Sequence, residues 1–451
     1  MPRLPLLLVV LAGCAGAPTG PSSSPLPSAC EPSSDVPPGR IARVTVTPEA
    51  AGTWLVEYAF ARPESNLAFA LSRGDYRRAS WTSLGGGVRL HREGTFDMIS
   101  LDPAATRARF RVAPYAGYIP AGYDPVLDFG GGNRAIYVDQ FQLVRVPDAE
   151  TLAAHPGDGH WDGEWEPFTF VLDTDGPVIA AGELLDGPVS FDSQRPIEYV
   201  YYGSGDLAHR PNYVAVVDPR LPAWMRDSFD ADLDEFFEAL EDGFGSPLPQ
   251  RANVLVAYGD RDTPGESNSG GVLPGHALVL QVRGSRNDTL SAAGRARWRR
   301  LVSHEAAHLF QYRDGPVPVA EGWIHEGHAE AVAFHLVPEG RERQERTIES
   351  CRRALQSGEP LPEQLRGQGW ACGTWVWTLA GRLAPYDDVF TVWDRMVETA
   401  AGSRARAEHL VSALRTAGAE GDEFDALGRA LRGDASVDVD HLLFGSGEVS
   451  E

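Results

Sequence analysis

Ser303-His304-Glu305-Ala306-Ala307-His308 is followed, a short interval later, by Trp323-Ile324-His325-Glu326-Gly327-His328-Ala329-Glu330. The first of these stretches is H-E-x-x-H. On an α-helix, residues four apart lie on one face, so His304 and His308 are placed to hold one metal ion together. Glu305 sits one residue along, where its carboxylate reaches a water on that metal. The second stretch reads as another helix and offers Glu326 as a further ligand. Two imidazoles and a carboxylate leave the fourth position of a tetrahedral zinc ion open, which is the arrangement of a catalytic rather than a structural site. Water on such an ion loses a proton near neutral pH. Glu305 would take that proton and pass it to a leaving amine, as general base and then acid. Glu330, one helical turn after Glu326, is placed to accept a hydrogen bond from a ligand imidazole and so fix its tautomer.

The surroundings of the two stretches extend this reading. The H-E-x-x-H lies late in a helix expected from Leu290 to Tyr312, among apolar Leu301, Val302, Leu309 and Phe310. A second helix is expected over Glu321 to His335, and Cys351 to Leu355 and Thr374 to Leu383 are also read as helical. Upstream, Asn212–Val217, Asn253–Tyr258 and part of Gly270–Val282 read as strands. Pro222 to about Asp242 reads as a helix with Phe229, Leu233, Phe236, Phe237 and Leu240 on one face. From Ile41 to about Gly205 the pattern is instead alternating and short. Arg43–Thr47, Trp54–Phe60, Ala108–Val112, Ala135–Val138, Phe141–Val146, Phe168–Leu172 and Glu198–Tyr202 are candidate strands separated by Gly, Pro and Asp clusters, as in an all-β sandwich or saddle. That region carries no chemical motif. His91, His155 and His160 are isolated, and no G-x-G-x-x-G opens a helix, which disfavours nucleotide binding. The fold class is α+β: a β-rich amino-terminal sandwich-like domain, then a mainly helical domain with a small sheet.

With 451 residues, more than one core is expected. The net charge of −23 argues against nucleic-acid partners, which require a basic surface. Met1 to Cys14 carries Arg3, an apolar run from Leu4 to Leu11, and Leu11-Ala12-Gly13-Cys14. The run is too short for an ordinary membrane span. The pattern is similar to a bacterial lipoprotein signal with its lipobox, which implies cleavage before Cys14 and lipidation of that residue; a plain secretory signal is the alternative. Both imply export. Ala15, rather than the Asp associated with inner-membrane retention in enteric bacteria, follows the cysteine, which suggests an outer-membrane address if the organism has an outer membrane. The organisation expected is a signal peptide (1–14), a Pro/Ser-rich tether (15–40), a β-rich domain (41–205), a metal-binding domain (206–400) and a helical extension and tail (401–451). Cys30 lies in the tether, unpaired or bonded to another chain. Cys351 and Cys372 remain, and export permits a disulfide between them that would contribute about 3 kcal/mol in the chain-entropy model.

Taken together, H-E-x-x-H and W-I-x-E-G-x-A-E resemble the gluzincin zinc metallopeptidases, in particular the alanyl aminopeptidase-type and glycyl aminopeptidase-type catalytic domains, whose third ligand lies in W-[LI]-x-E-G-x-A. The interval between His308 and Glu326 is one residue shorter than is usual there. The resemblance spans about 298 to 395. It implies Zn2+ held by His304, His308 and Glu326, Glu305 as base, and Glu330 orienting a ligand. Two departures stand out. Those families carry G-x-M-E-N on a strand before the metal helix, its glutamate helping to hold a substrate amine; Gly270 to Leu280 has no acidic residue. An edge strand there could still align a peptide by backbone pairing. The families also supply a tyrosine to the oxyanion from a Y-x-x-G context, and Trp370-Ala371-Cys372-Gly373 stands in its place. Tyr386 is the candidate to supply that hydroxyl instead. His325, His328 and His335 are near the site in sequence, His328 with either a solvent or packing role or a substrate-facing one, and His276 is unassigned. Arg295, Arg297, Arg299 and Arg300 read as the solvated start of the metal helix, and Trp375 and Trp377 as core. The function expected is an exported metallopeptidase acting on peptide or protein substrates and tethered to a membrane by lipid. The alternative is a catalytically weak or inactive surface protein of the same fold that binds peptides or a partner.

Overall fold

The structure, a computed structural model, describes residues 36–445 apart from 120–122, 147–150, 153–158, 162, 164, 193–198, 260, 274–276, 316, 368–369 and 385–387. The signal segment with Cys14, most of the tether with Cys30, His155, His276 and Tyr386 therefore lie outside the described residues.

Two long strands, β2 (Trp54–Phe69) and β5 (Phe96–Val112), pair antiparallel and form the spine of the first sheet, with register shifts between Ala59 and Asn66 that bend it. Around them stand β1 (Ala42–Pro48), β3 (Trp81–Ser83), β4 (Val88–Glu93), β8 (Leu143–Arg145), β9 (Thr169–Leu172) and β12 (Val189–Asp192). A second sheet runs in the order β11 (Glu183–Asp186), β10 (Pro177–Ala180), β13 (Tyr199–Tyr202), β7 (Arg134–Tyr137), β6 (Val126–Asp128). The third runs β14 (Leu207–His209), β15 (Tyr213–Val217), β16 (Ala252–Gly259), β18 (Ala277–Arg283), β17 (Ser269–Leu273), which leaves β17 at an edge. The strands expected to start at Phe141 and to stop at Phe60 differ. Val138–Phe141 is a short 3-10 turn ahead of β8, and β2 continues past Phe60 because its far half pairs with both β5 and β8.

The middle sheet is buried on both faces. Ile136, Val178 and Val200 pack with the first sheet, while Ala135, Tyr137, Ile179, Tyr199 and Tyr201 pack with Val214, Val216, Leu255 and Val279 of the third. This is why Tyr199-Val200-Tyr201-Tyr202 reads as a continuous apolar run rather than an alternation. The other face of the third sheet carries the helices. They are α2 (Ala223–Phe244), α3 (Ala292–Gln311), α4 (Gly322–Leu336), α5 (Arg341–Leu355), α6 (Leu361–Gly367), α7 (Trp370–Leu383), α8 (Val389–Ala400), α9 (Ala407–Thr416), α10 (Asp422–Leu431) and α11 (Val439–Phe444), following a single-turn α1 (Tyr76–Ser80) in the β-rich part. No helix among the described residues is long and apolar enough to cross a membrane.

Three features set the geometry of the helical layer. Ser291 caps α3 by accepting a hydrogen bond from the Gly294 amide, and the apolar side of that helix buries Trp298, Val302, Ala306 and Phe310. Helices α4 and α7 touch backbone to backbone: a Cβ on Gly327 would lie 2.6 Å from the Gly373 carbonyl carbon, so the glycines of both motifs are needed for the crossing. Cys351 of α5 and Cys372 of α7 form a disulfide. Both of those helices begin well before the sequence pattern suggests.

Candidate metal centre

The side chains of α3 and α4 bring three ligand atoms together. His304 Nε2 and His308 Nε2 are 3.2 Å apart, and Glu326 Oε2 lies 3.3 Å from the first and 3.6 Å from the second. One ligand atom from each residue lies within 4.8 Å of the other two. The Glu326 side chain keeps 47% exposure, whereas those of His304 and His308 keep 13% and 5%, so the site opens on the glutamate side.

Each imidazole is oriented by its other nitrogen. His304 Nδ1 donates to Glu330 Oε2 at 3.0 Å. His308 Nδ1 donates to Gln311 Oε1 at 2.6 Å. The assignment for His308 follows from a chain of contacts. His328 Nε2 lies 3.0 Å from the Val389 carbonyl, which only accepts, so that nitrogen carries the proton. His328 Nδ1 is then bare and accepts from Gln311 Nε2 at 2.7 Å, which also donates to the His325 carbonyl at 3.0 Å, leaving Gln311 Oε1 to accept from His308. His328 is fully buried and burial holds its pKa down to about 3, so it is a neutral packing residue that aligns a site imidazole through Gln311. Glu330, 1% exposed, accepts from Arg300 and, at 3.2 Å, from Arg343 Nε as well as from His304. Burial favours its neutral form, but these partners outweigh it and hold its carboxyl down to about 2.

With both Nδ1 protons engaged, two Nε2 lone pairs and a carboxylate oxygen face one another. Such an arrangement of acceptors is stable only around a cation. In the protein alone that role falls to a proton: burial opposes it, yet Glu326 and Glu330 push the His304 imidazole up to about 10. Glu326, although burial raises it, is held far below the usual carboxylate range by His304, His308 and His325. Two neutral imidazoles and one carboxylate are a donor set that zinc accepts, so the residues present fit the metal.

Glu305 is buried beside this cluster, and desolvation raises its pKa. It lies against Gly270 of the edge strand β17, where a Cβ would fall 2.6 Å from Glu305 Cδ and Oε1. Gly270→Ala is therefore expected to displace the carboxylate and to lower any turnover in which Glu305 serves as base by about a hundredfold, the size associated with an ångström-scale misplacement. Metal content per chain should stay unchanged; undiminished turnover would show that this contact does not position Glu305.

Two hydroxyls absent from the sequence-based set also approach the carboxylates. Tyr312, four residues after His308, meets His325 Nε2. Tyr123, from the β-rich part, contacts the Val272 carbonyl at 3.3 Å. Burial and the nearby Glu305 and Glu326 charges push Tyr123 up to about 12, and the same factors raise Tyr312, so both hydroxyls stay protonated. The signal for Tyr312 was its helical spacing from His308; Tyr123 had none. Trp370, at the start of α7, lies under the Arg343 guanidinium, 4.5 Å from the ring centre. The Arg295–Arg300 cluster is not a solvated helix start, because each arginine has a carboxylate partner. Arg295 and Arg299 reach Asp232, Arg297 reaches Glu266 and Arg300 reaches Glu330. Trp377 is core, as expected, and Trp375 is partly buried against it.

No protein-family model matches the chain, and no curated protein matches it in sequence. Among solved structures it is similar to an aminopeptidase N family protein from Idiomarina loihiensis, at 12% identity over 89% of this chain and 78% of that one, with a TM-score of 0.59. It also aligns with an M1 zinc metallopeptidase from Deinococcus radiodurans, at 15% identity over 91% and 94% of the two chains, with a TM-score of 0.41. The first of these likenesses shows a gluzincin aminopeptidase-like fold.

Proposed function

We propose that this chain, built on the gluzincin aminopeptidase-like fold, is a zinc-dependent metallopeptidase that is exported and held at a membrane through lipid on Cys14. The observation that carries the reading is the convergence of His304 Nε2, His308 Nε2 and Glu326 Oε2 beside the buried carboxylate of Glu305. A zinc ion supplies Lewis-acid activation of water and of a peptide carbonyl. Glu305 takes the proton of the attacking water and returns it to the leaving amine; its burial raises its affinity for that proton. Glu330 and Gln311 keep the two imidazoles in the tautomer that presents Nε2. The edge strand β17, with Gly270 and Gly271 close to Glu305 and Tyr123, offers backbone to an extended peptide. Tyr123 and Tyr312 offer the neutral hydroxyls that an oxyanion requires and Trp370 lacks. The Cys351–Cys372 disulfide supports an oxidising compartment, in keeping with export.

A second reading, a peptide-binding protein of the same fold without turnover, is favoured by Trp370 standing under Arg343 in place of a tyrosine. Metal analysis after zinc-replete purification, together with cleavage of a mixed peptide library, separates the two. About one zinc per chain with chelator-sensitive cleavage supports the peptidase. Zinc with peptide binding and no cleavage supports the second reading, and absence of zinc overturns both.

A further inference from the structure

A cavity of about 530 Å³ opens beside the metal centre, between the approach to β17, the first turns of α3 and the start of α5. Its charge is opposite to that of the chain. Arg286, Arg297, Arg300, Arg343 and Arg346 line it, against Glu266 and Glu342, in a protein whose net charge is −23. The carboxylates in reach do not match the cations. Arg297 is taken by Glu266 and Arg346 by Glu342, while Arg300 and Arg343 share the single carboxylate of Glu330. Arg286 makes no ion pair among the described residues, and its side chain is exposed at the cavity wall. An excess of guanidinium groups therefore faces an open space. Guanidinium groups in fixed positions recognise carboxylates by paired, charge-assisted hydrogen bonds.

The cavity is joined to the chemistry on two sides. Arg300 stands one helical turn before His304 and shares Glu330 Oε2 with it. Ser267 and Asn268, which line the cavity, run directly into Ser269 and Gly270 of β17, and Gly270 touches Glu305. An extended peptide rises about 3.3 Å per residue. A peptide lying along β17 with its scissile bond at Glu305 would thus enter the cavity two or three residues away.

We infer that the arginine-lined cavity is a specificity subsite for a carboxylate of the peptide, carried two or three residues from the bond that is cut. The inference rests on the peptidase reading for its register along the peptide, but the cavity's own recognition is tested by binding. The carboxylate has two sources, an Asp or Glu side chain or the terminal carboxylate of the peptide, and the recognition chemistry is the same for both.

The test uses the full chain and three matched peptide series: neutral side chains with an amidated end, one Glu scanned along an amidated peptide, and neutral side chains with a free carboxylate end. Binding is measured by calorimetry, and cleavage is followed separately. The expected result is that one carboxylate-bearing series binds about ten- to a hundredfold more tightly than the neutral amidated one, the size of one charge-assisted hydrogen bond. Which series does so identifies the source. The double variant Arg286→Gln/Arg346→Gln should bring that ratio close to one, while Arg415→Gln on the distant α9 should leave it unchanged. Equal binding of all three series overturns the inference, even if all are cleaved; that result leaves the peptidase reading standing. A carboxylate preference with no cleavage keeps the subsite and overturns the peptidase reading. A preference that survives the double variant overturns the assignment to this cavity.

Discussion

Replacing Glu305 by glutamine is expected to lower peptide hydrolysis by roughly 10²- to 10⁴-fold, the range that a positioned general acid–base group contributes, while zinc content stays near that of the native protein. The separation of the two readouts follows from the structure. Glu305 is outside the converging set formed by His304, His308 and Glu326, so the substitution removes a proton acceptor and leaves every ligand atom in place. Glutamine is close in size to glutamate, and the site around Glu305 is tight against Gly270, so the shape of the pocket is kept. Burial raises the proton affinity of Glu305, which suits a group that must hold a proton between the attack and the departure of the amine. Full turnover in the variant would show that another group moves the proton. Loss of zinc along with activity would place Glu305 in the metal's structure instead.

Glu330→Gln should act through a different route, with loss of metal affinity and of stability together. The carboxylate is 1% exposed and accepts from Arg300, Arg343 and the Nδ1 of His304. An amide accepts at one end only and carries no charge. Its N–H2 group would face one of three donors, and two guanidinium groups would lose their counter-charge. Removing one partner of a buried ion pair costs about 3–5 kcal/mol; Arg300 and Arg343 keep 16% and 29% of their side-chain exposure, so the lower end is expected. Loss of a carboxylate that orients a ligand histidine typically weakens metal binding by about 10- to 100-fold. Competition with a chromophoric chelator gives the affinity, and urea unfolding gives the stability. Unchanged metal affinity in a destabilised variant would mean that Glu330 serves the helix packing and not the ligand.

The parts of this site that could be read from the chain are those set by helical period. His304 and His308 share a face because they are four apart, Glu305 follows one residue along, and Glu326 and Glu330 obey the four-residue rule on α4. The β-rich half was legible where one face is polar and strands alternate, as in Arg43–Thr47. The rest depends on contacts that no local pattern encodes. Gln311 and His328 act as a unit only because α8 brings the Val389 carbonyl to His328. Tyr123 comes to the edge strand β17 from the loop ahead of β6, where its hydroxyl meets the Val272 carbonyl. Helix α5 begins ten residues before its expected start because its sequence, Arg341 to Ser350, is almost wholly polar; its Thr347 and Cys351 are buried, while Arg343 pairs with Glu330 and lines the cavity with Arg346. The arginines of α3 look solvated in the sequence because their partners, Asp232, Glu266 and Glu330, are distant along the chain.

The doubly covered middle sheet also bears on how the molecule comes apart. Its tyrosine-rich face and the outer face of the third sheet are the same interior seen from two sides. Neither half of the chain has a finished surface there. A fragment starting at residue 206 would hold Val214, Val216, Leu255 and Val279 against water instead of against Tyr199 and Tyr201. Apolar area opened in this way costs about 25 cal/mol for each Å², a cost borne at once by both halves. The β-rich part is accordingly not a detachable appendage of the metal-binding part. It forms one side of the interior on which the edge strand beside Glu305 is laid, so heat or denaturant that loosens the sandwich also loosens the strand that a substrate would meet.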